Sequence, residues 1–418
     1  MQLYYGKEKA ELSLPDAAPR KILHMPHIEP LKDAAETIKE ALRNPVGSVP
    51  LGQYVNPGDS VCLLVNDSTR VARSDFFLPI LVDELVEAGV AESDIFILFT
   101  NGTHRNLEHE EMVELVGENT ARRIAMYNHD CHDESNLVYM GETSRGTPIY
   151  LNQQAAQADK CILTGSIVYH FFAGFGGGRK ALIPGVAGYD TIRANHSLMM
   201  EEQARLGMLE GNPVHEDQLE AARMVGGGFL LNVVLDEAKN FLAVFAGDME
   251  QAHLQGCEFV QQAYGVVIDQ LADVVIASCG GYPKDINIYQ AQKTLENAVQ
   301  AVKPGGQVIL LACCPEGVGS DIYEQWAQKY ETMEEIGDAL KANFQLGGHK
   351  AYAVSRAQKL GTVFLVSGLD PDKVRSLGFL PASSLQEAVD EVYREKAELL
   401  TYVMPQGSLA VPELSCDM

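Results

Sequence analysis

Short apolar runs rich in β-branched residues recur along this chain, and they constrain its fold more than any other feature. Their apolar residues are continuous and do not alternate with polar ones, which is typical of parallel strands covered on both faces. Amphipathic stretches lie between them, most clearly at residues 76–90 and 294–306. Strands that alternate with helices predict an α/β fold of doubly wound type, with two Rossmann-like domains and mostly parallel sheets. The predicted strands are 60–66, 94–100, 160–167, 228–235, 273–278, 306–313 and 362–367.

The length of 418 residues fits two such domains. Residues 249–268 have the pattern of a long helix, and a new strand, glycine loop and helix begin at Asp273. We therefore expect a boundary near residue 270. The first domain would comprise residues 1–270 and, by a return of the tail, about 396–418. The second would comprise residues 271–395, with an active-site cleft between the two.

Acidic residues outnumber basic ones, 57 against 32, for a formal net charge of -25. Nucleic acids and anionic membranes bind proteins through Lys and Arg side chains that neutralise phosphate. This excess of carboxylates excludes both as expected partners. The chain has no apolar run of about 18 residues, so no membrane span is expected. Its first residues lack the pattern of a signal peptide, which indicates a cytoplasmic protein.

Eight cysteines are scattered along the chain, and no two form a CxxC pair. Several lie within the apolar runs that predict strands. This placement indicates buried free thiols in a reducing compartment and argues against a disulfide framework or a zinc site. The cysteines are Cys62, Cys131, Cys161, Cys257, Cys279, Cys313, Cys314 and Cys416.

Polar residues of the kind used in catalysis follow three successive predicted strands. Residues 66–70 (Asn-Asp-Ser-Thr-Arg), 101–105 (Asn-Gly-Thr-His-Arg) and 168–170 (Val-Tyr-His) come directly after them. Ligands bind beyond the carboxyl ends of the strands in open parallel sheets, so these segments predict a shared cleft. His104 and His170 then form a candidate acid/base pair, because imidazole titrates near neutral pH.

A glycine-rich loop at residues 174–180 comes next, and it ends in Arg179 and Lys180. Glycines let the backbone approach a ligand closely, and their N–H groups suit an anion. The loop departs from the phosphate-binding motif of nucleotide triphosphatases, because Lys180 follows an arginine and Ala181 stands where that motif needs Ser or Thr. A tight turn with an exposed lysine is the alternative that these residues leave open.

Three further histidines are candidate metal ligands. His196 follows the loop, and imidazole is the commonest side-chain ligand for nickel, copper and zinc. A surface or core role is its alternative. His129 and His132 resemble a metal cluster, but their acidic, loop-like surroundings favour a solvated turn.

In the second predicted domain, a glycine loop leads from a strand into a helix that carries Gln290 and Lys293. Residues three apart share one face of a helix. The pair could therefore present a hydrogen bond and a positive charge to a carboxylate. A solvated helix N-terminus is the alternative.

These segments together resemble the nickel-dependent lactate racemase family over almost the whole chain. The part from His170 to His196 is the most specific. The motifs that carry the resemblance are Asp67-Ser-Thr-Arg70, Gly102-Thr-His-Arg105, Tyr169-His-Phe-Phe-Ala-Gly-Phe-Gly-Gly-Gly-Arg-Lys180 with Pro184-Gly185, Asn195-His196 and Tyr289-Gln-Ala-Gln-Lys293.

The resemblance implies a nickel-pincer nucleotide, nickel pyridinium-3,5-bisthiocarboxylic acid mononucleotide, held covalently on Lys180 through a thioamide. It implies that His196 is the protein's own nickel ligand and that His104 and His170 are the acid and base. The cofactor contacts that it implies are Asp67, Thr69, Arg70, Gly177 and Tyr289. The substrate contacts that it implies are Ser68, Gln290 and Lys293.

The implied function is racemisation or epimerisation of a 2-hydroxy acid by reversible hydride transfer, with cofactor-biosynthesis proteins as further partners. Hydride removal avoids the carbanion that a weakly acidic α-hydrogen would have to form, and the cofactor carries that step. Residues 347–352 hold no tryptophan, although the resemblance leads us to expect one there. This difference favours a substrate other than lactate.

Two alternatives belong to other functional classes. A cofactor-storage protein without turnover would keep Lys180, but the presence of both His104 and His170 argues against it. A nicotinamide-dependent dehydrogenase would need a GxGxxG motif after a strand, and the first 150 residues have none. The oligomeric state is left open by the sequence.

Overall fold

The structure is a computed structural model, and it describes residues 1–415. The chain forms two compact units. We call Ile28–Gln261 the internal unit, and residues 1–27 together with those from Gln262 onward the terminal unit.

The strands and helices are numbered in chain order. The strands are β1 Gln2–Tyr5, β2 Glu8–Glu11, β3 Arg20–Ile22, β4 Val61–Val65, β5 Ile95–Phe99, β6 Ala125–Asn128, β7 Leu137–Glu142, β8 Pro148–Asn152, β9 Lys160–Ser166, β10 Tyr169–His170, β11 Gly174–Phe175, β12 Phe229–Leu235, β13 Phe241–Asp248, β14 Gly265–Ile268, β15 Ala272–Ser278, β16 Val302–Leu311, β17 Gly361–Val366, β18 Leu380–Ala382, β19 Thr401–Met404 and β20 Val411–Leu414. The α-helices are α1 Ala34–Arg43, α2 Leu51–Tyr54, α3 Ser74–Glu87, α4 His109–Val116, α5 Glu118–Arg123, α6 Gln153–Gln157, α7 Tyr189–Ser197, α8 Pro213–Met224, α9 Gln251–Tyr264, α10 Ile288–Ala298, α11 Asp321–Lys329, α12 Met333–Ala342, α13 Gly348–Leu360, α14 Pro371–Ser376 and α15 Leu385–Val392.

The internal unit is built around a six-stranded sheet in the order β13-β12-β9-β4-β5-β6. Its neighbouring strands are parallel except for the antiparallel pair β12 and β13. In β4, Val61, Leu63 and Val65 pack into one hydrophobic cluster, whereas Cys62 and Leu64 pack into a second. Because successive side chains of a strand point to opposite faces, both faces of this sheet are covered, as the continuous apolar run predicts.

Strand β4 lies between β5 and β9, and all three run in the same direction. Their carboxyl ends therefore meet at one edge of the sheet. The polar segments 66–70, 101–105 and 168–170 start from this edge, which is where open α/β sheets bind ligands.

The terminal unit contains a second six-stranded sheet, in the order β18-β17-β16-β15-β19-β3, with all neighbouring pairs parallel. Strands β19 and β3 come from opposite ends of the chain. The structure therefore corrects the expected assignment of residues 1–27 and of the tail to the first domain. Backbone N–H and C=O groups need partners, and pairing between strands so far apart in sequence leaves no local pattern.

Two predicted helices are shorter than expected. Residues 249–268 were expected to form one helix, but α9 ends at Tyr264 and residues 265–268 form β14, which pairs with β20. Residues 294–306 also divide, because α10 ends at Ala298 and β16 begins at Val302. In both places, pairing with a distant strand overrides the local helical pattern.

The helices and the cysteines bear on two expectations from the sequence, namely the absence of a membrane span and the presence of free thiols. Within residues 1–415, no helix has the length and apolarity needed to cross a membrane. The cysteines in this part of the chain are free thiols, and most are buried. Cys416 lies outside the described residues.

Candidate active site

Asp67 and His104 form a hydrogen-bonded pair beyond the ends of β4 and β5. The Asp67 side chain is buried. Its Oδ2 lies 2.5 Å from Nδ1 of His104, and its Oδ1 accepts hydrogen bonds from the backbone N–H and the hydroxyl of Thr69. Burial raises the pKa of Asp67, but hydrogen bonds from His104 and Thr69 and the charge of Arg70 outweigh it and lower the pKa. The carboxylate is therefore ionised at neutral pH.

The segment around this pair is open. Ser68, Thr69 and Arg70 are exposed. The Arg70 guanidinium donates hydrogen bonds to the carbonyl and the hydroxyl of Thr69, at 3.2 and 3.3 Å. One buried carboxylate thus lies beside a hydroxyl and a cation that a ligand can reach.

His170 lies on the short hairpin of β10 and β11, where it pairs with Gly174. Its Nδ1 accepts a hydrogen bond from the backbone N–H of Ala173 at 3.3 Å. Its Nε2 lies 3.4 Å from Nζ of Lys180. The structure thus brings a predicted acid/base residue into contact with the predicted cofactor lysine.

Lys180 lies in the short 3-10 helix Gly178–Ala181, which closes the glycine-rich loop. Its side chain is partly buried, so it is not the exposed lysine of a surface turn. Burial, followed by the charges of Arg179 and Arg70, holds the pKa of Lys180 well below its ordinary value. A lysine with a lowered pKa has more of its amine unprotonated and is therefore a better nucleophile.

Phe172 joins three predicted site residues. Its ring centroid lies 4.5 Å from that of His170 and 5.0 Å from that of His196, edge to face in both cases. Nζ of Lys180 lies 5.5 Å from the same centroid. Phe172 was not predicted, because an apolar side chain signals no chemistry. Its one available signal was its place between His170 and the glycine loop.

The buried side chains of Arg179 and Asn232 form hydrogen bonds with the backbone of the glycine-rich loop and its flanking residues. Neither residue was predicted to belong to the site. Arg179 is buried, and its guanidinium donates to the carbonyl oxygens of Ala173 and Phe175 at 2.9 and 3.4 Å. Oδ1 of Asn232 accepts the backbone N–H of Gly178 at 2.8 Å. A lone amide inside the apolar run 228–235 was the signal for Asn232.

Gly177 is a position where this loop has no room for a side chain. Its φ is +72°, and an added Cβ would lie 2.6 Å from Oδ1 of Asn232 and 3.1 Å from the carbonyl oxygen of Ser166. We expect Gly177→Ala to lower the free energy of unfolding by about 3 kcal/mol in urea denaturation, because backbone strain and a clash with buried groups add.

The matched control for that substitution is Gly226→Ala. Gly226 has a φ of +94°, but nothing lies within 4 Å of its added Cβ. This variant introduces backbone strain without a clash, so its free energy of unfolding should fall by about 1 kcal/mol. Equal losses in the two variants would show that crowding around Gly177 has no effect.

His196 lies in the last turn of α7, and its neighbour Asn195 anchors that helix. Nδ2 of Asn195 donates to Oδ2 of Asp217 at 2.8 Å, and the Asp217 carboxylate also accepts two buried threonine hydroxyls. Such a buried hydrogen-bonded network makes the position of the helix rigid. Burial and then the charge of Lys180 lower the pKa of His196 to about 3. Its imidazole is therefore neutral at pH 7, the form that binds metals.

The remaining predicted residues lie in the terminal unit, at the start of α10. Asn287 caps this helix by accepting the backbone N–H of Gln290 at 3.0 Å. Lys293 is exposed, whereas Tyr289 and Gln290 are partly buried. Nζ of Lys350 lies 5.1 Å from the centroid of the Tyr289 ring. The roles of Tyr289, Gln290 and Lys293 in ligand binding stay predictions.

The segment with His129 and His132 is only in part the solvated turn that was expected. His129 is buried, and its Nε2 donates to the carbonyl oxygen of Ala187 at 2.9 Å, whereas His132 is exposed. Packing against a residue distant in sequence, which leaves no local pattern, buries the ring. Among residues 1–415, no group of three or more His, Cys, Asp or Glu side chains could hold a metal ion.

Two family models match the chain. The one described as the lactate racemase N-terminal domain matches residues 5–207, and the one described as the lactate racemase C-terminal domain matches residues 267–411. A lactate racemase of Lactiplantibacillus plantarum is 36% identical over 381 residues, which cover 89% of each chain. A lactate racemase of Thermoanaerobacterium thermosaccharolyticum is 35% identical over 340 residues, which cover 80% of this chain and 79% of the relative.

Solved structures agree with these matches. The lactate racemase apoprotein from Thermoanaerobacterium thermosaccharolyticum superposes with a TM-score of 0.89 at 31% identity and covers 99% of both chains. A protein from Thermotoga maritima shares the fold, with a TM-score of 0.67 at 20% identity over 91% of this chain and 98% of that chain. The predicted α/β fold with mostly parallel sheets is confirmed. This chain belongs to the lactate racemase family, and it is an enzyme of the isomerase class.

Proposed function

We propose that this chain racemises or epimerises a 2-hydroxy acid by reversible hydride transfer to a nickel-pincer nucleotide attached to Lys180. The observation that carries the proposal is the 3.4 Å contact between Nζ of Lys180 and Nε2 of His170. It puts the attachment point of a hydride acceptor beside a group that can exchange a proton with a substrate hydroxyl. The relatives named lactate racemase support the substrate class.

The residues around Lys180 fit such a cofactor. A partly buried amine with a lowered pKa suits thioamide formation, and the neutral imidazole of His196 suits nickel, which also accepts sulfur ligands. When bound, the group supplies a reversible hydride acceptor, a capacity that amino-acid side chains lack. The proposed further contacts to it are Asp67, Thr69, Arg70, Gly177 and Tyr289.

The protein's own residues move the proton and hold the substrate. One of His104 and His170 takes the hydroxyl proton as the α-hydrogen leaves as hydride, and the other returns a proton to the oxygen. Return of hydride to the opposite face of the planar 2-oxo acid inverts the centre. Ser68, Gln290 and Lys293 are the proposed substrate contacts, in which the Lys293 cation would hold the carboxylate.

A chiral assay tests the proposal. Protein co-produced with the cofactor-biosynthesis proteins is given single enantiomers of lactate, malate, 2-hydroxyglutarate and phenyllactate, and chiral chromatography follows both enantiomers. The enzyme that carries the cofactor should convert at least one of these substrates to a mixture of both enantiomers. Protein produced without the biosynthesis proteins should convert none. Because residues 347–352 hold no tryptophan, we expect a substrate other than lactate to be converted fastest. A loaded protein that converts no hydroxy acid would contradict the proposal and favour cofactor storage.

A further inference from the structure

We propose that Asp67 is a positioning residue that holds His104 as its Nδ1–H tautomer and so makes Nε2 of His104 the acceptor of the substrate's hydroxyl proton. The inference rests on the proposed function and deepens it. It gives Asp67 a role on His104 beyond the contact with the cofactor that the resemblance implies.

The hydrogen-bonding capacities of the two groups decide the position of the proton. An ionised carboxylate can only accept hydrogen bonds. Oδ2 of Asp67 lies 2.5 Å from Nδ1 of His104, so Nδ1 has to be the donor. A neutral imidazole carries a single proton. With that proton on Nδ1, Nε2 of His104 has a lone pair.

Asp67 is itself held in place, and this is what a positioning residue needs. Its Oδ1 accepts the backbone N–H of Thr69 at 3.1 Å and the hydroxyl of Thr69 at 2.7 Å. The side chain is 5% exposed, so it has little freedom to turn towards solvent. Both carboxylate oxygens are thus engaged, and the one facing His104 fixes the plane of the imidazole ring.

His170 has the opposite tautomer. Its Nδ1 accepts the backbone N–H of Ala173, and a backbone N–H can only donate. The proton of neutral His170 therefore lies on Nε2, which faces Lys180. The two predicted acid/base residues are inequivalent, because His104 presents a lone pair at Nε2 where His170 presents an N–H.

For the enantiomer whose hydroxyl faces His104, the first proton of a turnover therefore goes to His104. The O–H bond of the substrate hydroxyl breaks as an N–H bond forms at Nε2, and the bound cofactor would supply the acceptor for the α-hydrogen and its electron pair. The resulting imidazolium keeps its Nδ1–H on Asp67, whose negative charge stabilises it. This is the arrangement by which a buried carboxylate orients a histidine base in other enzymes.

Two substitutions test this role. In Asp67→Asn the side-chain amide can donate to Nδ1, which would put the His104 proton on Nε2 and block the acceptor. We expect kcat to fall about 10²- to 10⁴-fold with a much smaller change in KM. Asp67→Ala leaves the ring without a fixed partner and should also lower kcat. The control is Asp338→Asn, which removes the same charge from a side chain that is 82% exposed in the terminal unit.

Nitrogen NMR of protein with isotope-labelled histidine, with and without the cofactor, shows which ring nitrogen carries the proton. A purely structural role of Asp67 would not change this tautomer. Wild-type His104 should show Nδ1–H, Asp67→Asn should show Nε2–H at the same residue, and His170 should show Nε2–H in both. Spectra of His104→Ala and His170→Ala assign the signals. Unchanged turnover or an unchanged His104 tautomer in Asp67→Asn would overturn the inference.

Intact mass separates this role from a contact with the cofactor. Asp67→Asn should carry the same adduct on Lys180 as the wild type, and loss of the adduct would overturn the inference in favour of cofactor binding. Failure of the proposed function has a different signature. In that case the loaded wild type racemises no hydroxy acid, while the NMR comparison still decides whether Asp67 sets the tautomer of His104.

Discussion

Lys180→Ala should abolish cofactor attachment and racemisation together. The wild type, co-produced with the biosynthesis proteins, should carry an adduct with the mass of the nickel-pincer nucleotide, and the variant should carry none. The reason is chemical, because the amine at this position is the proposed nucleophile and burial keeps its pKa low. Turnover should fall to background, since amino-acid side chains do not supply a reversible hydride acceptor.

Lys180→Arg sharpens this test. Arginine keeps a positive charge but has no amine that loses its proton near neutral pH, so it should also lack the adduct. The control is Lys341→Arg, at a side chain that is 62% exposed, which should keep both adduct and activity. If Lys180→Ala unfolds at the same urea concentration as the wild type, its loss of adduct and activity is not due to unfolding. Full activity in enzyme whose Lys180 is unmodified would refute covalent attachment.

His104→Ala and His170→Ala should each lower kcat by about 10²- to 10⁴-fold, the usual contribution of a positioned acid or base. Both variants should keep the adduct on Lys180, and intact mass checks this before the rates are compared. The mass measurement matters most for His170, because its Nε2 lies 3.4 Å from Nζ of Lys180 and its loss could disturb attachment.

The control for the histidine variants is His109→Ala, at an exposed residue that begins α4. It should turn over at the wild-type rate. Normal turnover in His104→Ala or in His170→Ala would remove that residue from the acid/base pair. Loss of the adduct in His170→Ala would instead assign it to cofactor attachment.

Most inner strands of both sheets were predictable because they are buried on two faces; these are β4, β5, β9, β12, β15, β16 and β17. Leu63 and Leu64 are neighbours in β4 and belong to different hydrophobic clusters, so the strand has to be apolar along its whole length. That requirement is written into local sequence. The polar residues that follow β4, β5 and β9 were predictable for a related reason, since an apolar run that ends abruptly in charged residues marks the edge of the sheet.

Contacts between distant residues were not predictable in this way. Residues 265–268 have a helical pattern, yet they pair with β20. His129 has acidic neighbours in sequence and is buried against Ala187. The hydrogen bond between Asp67 and His104 joins two segments that follow different strands. Each outcome depends on which partner the fold supplies.

The local sequence alone thus determined the strand runs, the glycine-rich loop and the residue types gathered at one sheet edge, because burial and backbone conformation act on neighbouring residues. Only the tertiary structure decided that Lys180 contacts His170, that Phe172 lies against both and against His196, and that Asp67 orients His104. These contacts set the protonation states of the site, because a proton's position depends on the partner within hydrogen-bonding distance. The fold of the sheet and of the glycine-rich loop brings these partners together.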